Sequence, residues 1–231
     1  MAEVESLHEN YAAGSDVTVA PNRVLRNTYL LLALTMVPTT VGAWIGIGTV
    51  SLFAAHPIAI SLGMLAVVIG LQYAIVANRN SGIGVALLLL MTGLLGWFLG
   101  PLLSVALALK NGPALVGYAA LGTGVVFFAM AALASTIRRD LGSLGKFLFV
   151  GMIALLVAMV ANMFLQIPAL SLTISTLAIV VFSLFLLFDL NRIIRGGETN
   201  YIMATTGVYM SLYNIFANLL NLLLALSGQR D

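Results

Sequence analysis

Seven long apolar runs constrain the fold of this 231-residue chain more than any other feature of its sequence. A helix needs about 20 mostly apolar residues to cross the hydrocarbon core of a bilayer, and each run reaches that length. Hydrophobic residues make up 61% of the chain and charged residues 8%, which is not the composition of a soluble domain. The sequence therefore predicts an all-α polytopic membrane protein with seven transmembrane helices, at about 28–50, 56–77, 83–109, 113–137, 145–166, 169–190 and 201–226.

The connections between the runs are short, so neighbouring helices are expected to pack antiparallel to each other. No linker divides the chain, which predicts one transmembrane domain over residues 28–231 and a polar tail over residues 1–27. The tail lacks the short apolar stretch and the cleavage site of a signal peptide, so the first run is expected to be a retained span.

The basic residues predict the orientation of the spans, because cytoplasmic loops carry the excess of Lys and Arg. With the N-terminus inside, eight of the ten basic residues fall on the cytoplasmic side, and Lys110 and Arg230 fall outside. The eight are Arg23, Arg26, Arg79, Arg138, Arg139, Lys146, Arg192 and Arg195. We therefore expect a cytoplasmic N-terminus and a periplasmic or extracellular C-terminus.

The seventh run carries a row of small and polar residues at alternating spacings of four and three. Such residues lie on one face of an α-helix. Two interpretations are open: other helices hide this face from lipid, or the face lines a route between them. Tyr209 and Tyr213 on the flanking faces favour a central seventh helix surrounded by the other six. The row consists of Asn200, Ala204, Gly207, Ser211, Asn214, Asn218 and Asn221, and we call it the polar seam.

Two GxxxG motifs are expected to mark close helix packing, one at Gly42 and Gly46 and one at Gly96 and Gly100. Pro101 follows the second motif inside its span, and a kink at a packed site explains it better than a functional hinge.

Several catalytic chemistries have no basis in this sequence. It contains neither a GxxxxGK phosphate loop nor an HExxH zinc motif, and it has no cysteine. Of the two histidines, His8 lies in the tail and His56 at the outer limit of the second run, so an intramembrane serine protease lacks its base. An aspartyl protease needs two intramembrane carboxylates, and only Asp189 qualifies. We expect no enzyme activity, no cofactor and, because the basic residues are scattered, no nucleic-acid partner. Metal binding stays undecided.

Asp189 lies near the cytoplasmic end of the sixth run, with Arg192 one helical turn further on. A carboxylate at the centre of a membrane helix costs about 2.5–3.5 kcal/mol, and less near a helix end. One interpretation is an interfacial pair between Asp189 and Arg192 on the same helix face. The other is a carboxylate turned inward that controls an ion or proton path.

Four stretches carry a resemblance to a known family: GWFLGPLL at 96–103, ALGTGVVF at 120–127, FDLNRIIRGGETNYI at 188–202 and SLYNIF at 211–216. In these the chain resembles the Bax inhibitor motif family, and its bacterial YccA-type branch most closely. The resemblance implies six helices around a central seventh. In the family, the second stretch usually has Thr followed by Ala, whereas in this chain Thr123 is followed by Gly124.

Some members of that family are pH-sensitive calcium leaks closed by two hydrogen-bonded aspartates, on the sixth and seventh helices. Asp189 matches the first position and Asn214 the second. Because an amide and a carboxylate do not share a proton as two carboxylates do, a dyad titration is not expected. One carboxylate is also a weak basis for calcium, which takes six to eight oxygen ligands.

The YccA-type branch implies a different role, as a modulator of the membrane-anchored AAA protease of the bacterial inner membrane. Our first hypothesis is therefore a regulator that binds this protease through its tail and limits the degradation of other membrane proteins. The alternative is a leak for calcium ions or protons, with Asp189, Asn214, Asn218 and Arg192 along its gate or pathway. A further set, Gly96, Gly100, Pro101, Gly207 and Ser211, is expected to serve helix packing, and the bilayer is the surrounding partner.

Overall fold

The computed structural model describes residues 20–228, without the side chains of residues 20–22, and this part of the chain forms eight α-helices and no strand. Seven of the helices are long and apolar enough to cross a membrane. This confirms the all-α, seven-span prediction. The remaining helix, α2, has six residues and lies between the first two spans. The helices are α1 Ala20–Gly48, α2 Val50–Ala55, α3 Pro57–Ala77, α4 Gly82–Leu107, α5 Gly112–Thr136, α6 Gly142–Leu165, α7 Pro168–Ile194 and α8 Tyr201–Ser227.

The first helix begins at Ala20, several residues earlier than the start of the first predicted run. Pro21 is tolerated there because the first turn of a helix has no internal partner for its N–H groups. Val24 and Leu25 pack against the main core, which extends the helix beyond its most apolar part. Residues 1–19 of the predicted tail, and residues 229–231, lie outside the described residues.

The seventh span, α8, occupies the interior of the bundle. It contacts α7, α5, α1, α4 and α3. Its side chains Val208, Tyr209, Ile215 and Leu220 are almost completely buried. The remaining span, α6, packs on α7 instead. The seventh span, α8, is therefore central, as predicted. Five of the other six spans contact it, and α6 packs against α7.

Helices α1 and α4 approach until their backbones touch, along the two GxxxG motifs. A methyl group added at Gly42 would overlap the carbonyl oxygen of Gly93. One added at Gly96 would overlap the backbone of Thr39, and one at Gly100 the backbone of Gly46. Only glycine permits this distance between the two helices, because any side chain would have to occupy space already filled by backbone.

Hydrogen bonds join the arginine-bearing loops at one end of the bundle. The Asn200 side-chain amide donates to the carbonyl oxygen of Arg79 at 2.7 Å, which ties the α7–α8 loop to the α3–α4 loop. The Asn191 amide donates to the carbonyl oxygen of Ile137 at 3.0 Å, near the end of α5. The loops that carry Arg79, Arg138, Arg139 and Arg195 therefore meet at the same end of the bundle, and the side of the membrane on which this end lies stays a prediction.

Candidate functional site

A cavity of about 820 Å³ runs along α8 and is bounded by α3, α4, α6 and α7 as well. This volume lies in the range of pockets that hold small ligands. Fifteen of its lining residues are leucine, phenylalanine or methionine. The methionines are Met64, Met152, Met159, Met163, Met203 and Met210. Methionine adapts its shape to irregular neighbours, so a wall of this kind accepts ligands of variable outline.

The polar seam of α8 faces this cavity. Six of its seven residues, all except Asn200, line the cavity wall. The helix is therefore inside the bundle, and its polar face borders an open volume between the helices. The surrounding helices shield α8 without filling the space beside its polar face, and the interpretation of the seam as a route between the helices stays a prediction.

The two central asparagines of the seam donate to their own helix. The Asn214 amide nitrogen donates to the carbonyl oxygen of Met210 at 2.9 Å. The Asn218 nitrogen donates to the carbonyl oxygen of Asn214 at 2.8 Å. Each amide uses one of its two N–H groups in this way, and its side-chain oxygen remains available as an acceptor.

Further along α8, the Asn221 amide crosses to α7 and donates to the hydroxyl oxygen of Ser175 at 2.9 Å. Ser175 is itself buried and lines the cavity. This contact fixes the two helices to each other at the end of the cavity opposite Asp189.

Asp189 is turned inward, toward α8 and the cavity. A Cβ atom on Gly207 would lie 2.7 Å from its Oδ2 atom, so the glycine makes room for the carboxylate. Within residues 20–228, no protein donor forms a hydrogen bond or an ion pair with this carboxylate.

The alternative of an interfacial pair between Asp189 and Arg192 is wrong, because Arg192 pairs with Glu198 at 3.0 Å. The physical reason is the turn after α7. Gly196 adopts a positive φ of 73°, and the N–H groups of Gly197 and Glu198 both donate back to the carbonyl oxygen of Arg192. This turn brings the Glu198 carboxylate to the guanidinium and leaves Asp189 to the interior.

The predicted gate pair, Asp189 and Asn214, shares the cavity without being joined by a hydrogen bond. Asp189 lies beside Gly207, and Asn214 follows Gly207 by two helical turns, or about 10 Å along the axis. Arg192 and Asn218 line the same cavity. The described part of the chain holds no group of three or more His, Cys, Asp or Glu side chains placed to bind a metal ion.

Tyr209 and Tyr213 join α8 to the helices α1 and α4. The Tyr209 hydroxyl lies 2.8 Å from the Thr39 hydroxyl of α1. The Tyr213 hydroxyl donates to the carbonyl oxygen of Leu95 in α4 at 3.1 Å. These contacts hold α8 against α1 and α4, and so determine which face of α8 borders the cavity.

Sequence reasoning missed the roles of two asparagines. Asn191 is 2% exposed and joins α7 to the end of α5. Asn200 caps α8, since its Oδ1 atom accepts from the backbone N–H groups of Ile202 and Met203. The capping role had a sequence signal, because Asn directly before a helical run is a preferred N-cap.

Fold and site together define the class of this protein: a seven-span, all-α membrane protein whose central helix presents a polar seam and one inward carboxylate to a cavity between the helices. A family model for the inhibitor of apoptosis-promoting Bax1 matches residues 21–229.

Known relatives cover nearly the whole chain. An uncharacterised protein of Neisseria meningitidis serogroup A is 42% identical over 216 residues, which is 92% of this chain and 95% of the relative. The modulator of FtsH protease YccA of Escherichia coli K12 is 40% identical over 206 residues, covering 89% and 91%. A membrane protein of Vibrio cholerae is 38% identical, covering 89% and 91%. The chain belongs to the Bax inhibitor motif family, in its YccA-type branch, as its sequence motifs predicted.

Proposed function

We propose that this protein is a non-enzymatic modulator of a membrane-anchored AAA protease in the bacterial inner membrane, where it limits degradation of other membrane proteins. The observation that carries the proposal is the 40% identity with the Escherichia coli protein named modulator of FtsH protease, over 91% of its length. A second Escherichia coli relative with the same identity is named inner membrane protein YccA, which supports the location.

In this proposal the protease engages the protein at residues 1–19. They hold four acidic residues and precede α1, and the distribution of basic residues along the chain predicts a cytoplasmic location for them. A protease that engages this segment and pulls would extract α1 before any other span.

The packing of α1 supports slow extraction. Its backbone touches that of α4 at Gly42 and Gly46, and its Thr39 hydroxyl is hydrogen-bonded to Tyr209 of α8. Pulling α1 out separates these surfaces and breaks the hydrogen bond between Thr39 and Tyr209 inside the membrane, which is costly. A substrate of this kind occupies the protease without being degraded quickly, and so reduces its capacity for others.

The experiment is a degradation assay in proteoliposomes that contain an AAA protease, a membrane-protein substrate and this protein. Three forms are compared: the full chain, a deletion of residues 2–19 and a deletion of residues 229–231. Neither deletion removes a described helical residue. We expect the full chain and the C-terminal deletion to lengthen the half-life of the substrate, and the N-terminal deletion to have no effect. Equal protection by all three forms would contradict the role of the tail.

Ion conduction is the less well supported function. The cavity is lined by the Asp189 carboxylate, the Arg192–Glu198 pair and five side-chain amides, whereas calcium prefers several charged ligands. Calcium flux into liposomes is the direct measurement, with Asp189→Asn as the variant. We expect the wild-type protein to give no calcium flux above that of protein-free liposomes. A wild-type flux that Asp189→Asn abolishes would favour ion conduction over protease modulation.

A further inference from the structure

We propose that the cavity beside α8 binds an amphipathic cation, with its ammonium head at Asp189 and its aliphatic body along the methionine-rich wall. This site is independent of the proposed action on a protease. The ligand class follows from the size of the cavity, its charge and the chemistry of its polar atoms.

The dimensions of the cavity suit a molecule with a single aliphatic chain. From Gly207 to Asn221 the seam rises about 21 Å at 1.5 Å per residue. The cavity beside it is elongated along α8 and measures about 820 Å³, which is within the range of sites that hold small ligands.

The charge of the cavity selects a cationic head. Three charged side chains line it, namely Asp189, Arg192 and Glu198. Arg192 and Glu198 neutralise each other at 3.0 Å, which leaves the Asp189 carboxylate in excess. Since a carboxylate without a partner is costly in a low-dielectric site, a ligand that brings a positive charge is favoured there.

The polar atoms of the seam point to the same ligand class. The Asn214 and Asn218 amides each use one N–H for the backbone of their own helix, and their oxygens remain available as acceptors. The ionised Asp189 carboxylate offers acceptors only. A head group rich in N–H donors therefore satisfies the carboxylate and the two amide oxygens together.

The position of Asp189 suits a molecule that enters from a membrane. Asp189 is five residues before the end of α7, or about 7 Å along the helix axis. A head group bound there stays near the end of the bundle that carries the arginine-bearing loops. The aliphatic chain then extends along the seam, between wall residues such as Met152 and Met159 of α6.

The test is saturable binding of radiolabelled tetradecylamine to the full chain in phosphatidylcholine nanodiscs, with empty nanodiscs as background. Unlabelled tetradecylamine, tetradecanol and myristate are the competitors, since they share one chain length and differ in the charge of the head. We expect the amine to compete at least tenfold better than myristate. The same measurement in nanodiscs that contain phosphatidylethanolamine tests whether a lipid head group occupies the site. If it does, tetradecylamine binds more weakly than in phosphatidylcholine alone.

Two variants locate the site. Asp189→Asn should lower the affinity for the amine at least tenfold, and the matched control Asp140→Asn should leave it unchanged, because Asp140 is an exposed carboxylate in the α5–α6 loop away from the cavity. Ala217→Phe fills the cavity from α8 and should reduce binding of both the amine and the alcohol.

Three results would each overturn the proposal: no saturable binding to the wild-type chain, equal competition by myristate, or unchanged binding to Asp189→Asn. The competition series uses the wild-type protein alone, so it decides the question even when a variant fails to fold.

Discussion

The contact between α1 and α4 makes a quantitative prediction, because it depends on the absence of one carbon atom. In the variant Gly96→Ala the new Cβ overlaps the backbone of Thr39. Backbone atoms cannot rotate away as the end of a side chain can, so the two helices have to separate. The matched control is Gly70→Ala in α3, where a Cβ has no neighbour within 4 Å.

The magnitude follows from two opposing contributions. Replacing glycine by alanine inside a helix stabilises it by about 0.5–1 kcal/mol, and both variants gain this. Overpacking at a close contact costs about 1–3 kcal/mol, and only Gly96→Ala incurs it. The helix-forming contribution cancels in the comparison, so the free energies of unfolding of the two variants should differ by about 1–3 kcal/mol.

The assay is reversible unfolding in mixed detergent micelles, followed by circular dichroism. Gly70→Ala should be at least as stable as the wild type, and Gly96→Ala should be less stable. Equal stability of the two variants would refute the close backbone contact between α1 and α4. In the degradation assay, Gly96→Ala should also be extracted faster, since α1 is held less firmly.

Three further variants test other parts of the site. Asn200→Ala should lower the free energy of unfolding by about 1–2 kcal/mol, because α8 loses its cap. Asn200→Asp keeps a capping oxygen and should recover most of this loss. If both variants lose the same stability, the effect comes from the hydrogen bond to Arg79 and not from the cap. Glu198→Gln should cost about 1 kcal/mol or less, because Arg192 is 48% exposed, and a loss above about 3 kcal/mol would indicate a desolvated pair. Gly207→Ala forces the Asp189 carboxylate to rotate, at a cost of about 0.5–1.5 kcal/mol, and should weaken tetradecylamine binding; unchanged binding would separate the ligand site from Asp189.

Much of the site could be predicted from local sequence pattern. The polar seam was visible because residues three and four apart share a helix face wherever the helix lies. The seam does border the cavity, and Asp189 was singled out because an acid in an apolar run is expensive. The partner of Arg192 was not predictable by helical spacing, since the turn at Gly196 and Gly197 brings Glu198 back over the end of α7.

The sequence by itself determined that this is a seven-span, all-α protein of the Bax inhibitor motif family, because span length and family motifs are properties of the chain. Only the tertiary structure decided where the cavity lies. It exists because α6 packs on α7 and not on α8, and so leaves the polar seam uncovered. Hydropathy does not reveal that choice, since lipid-facing and helix-facing surfaces in a membrane are both apolar. The inward direction of Asp189 was decided in the same way, by the turn that gives Arg192 another partner and by the space at Gly207.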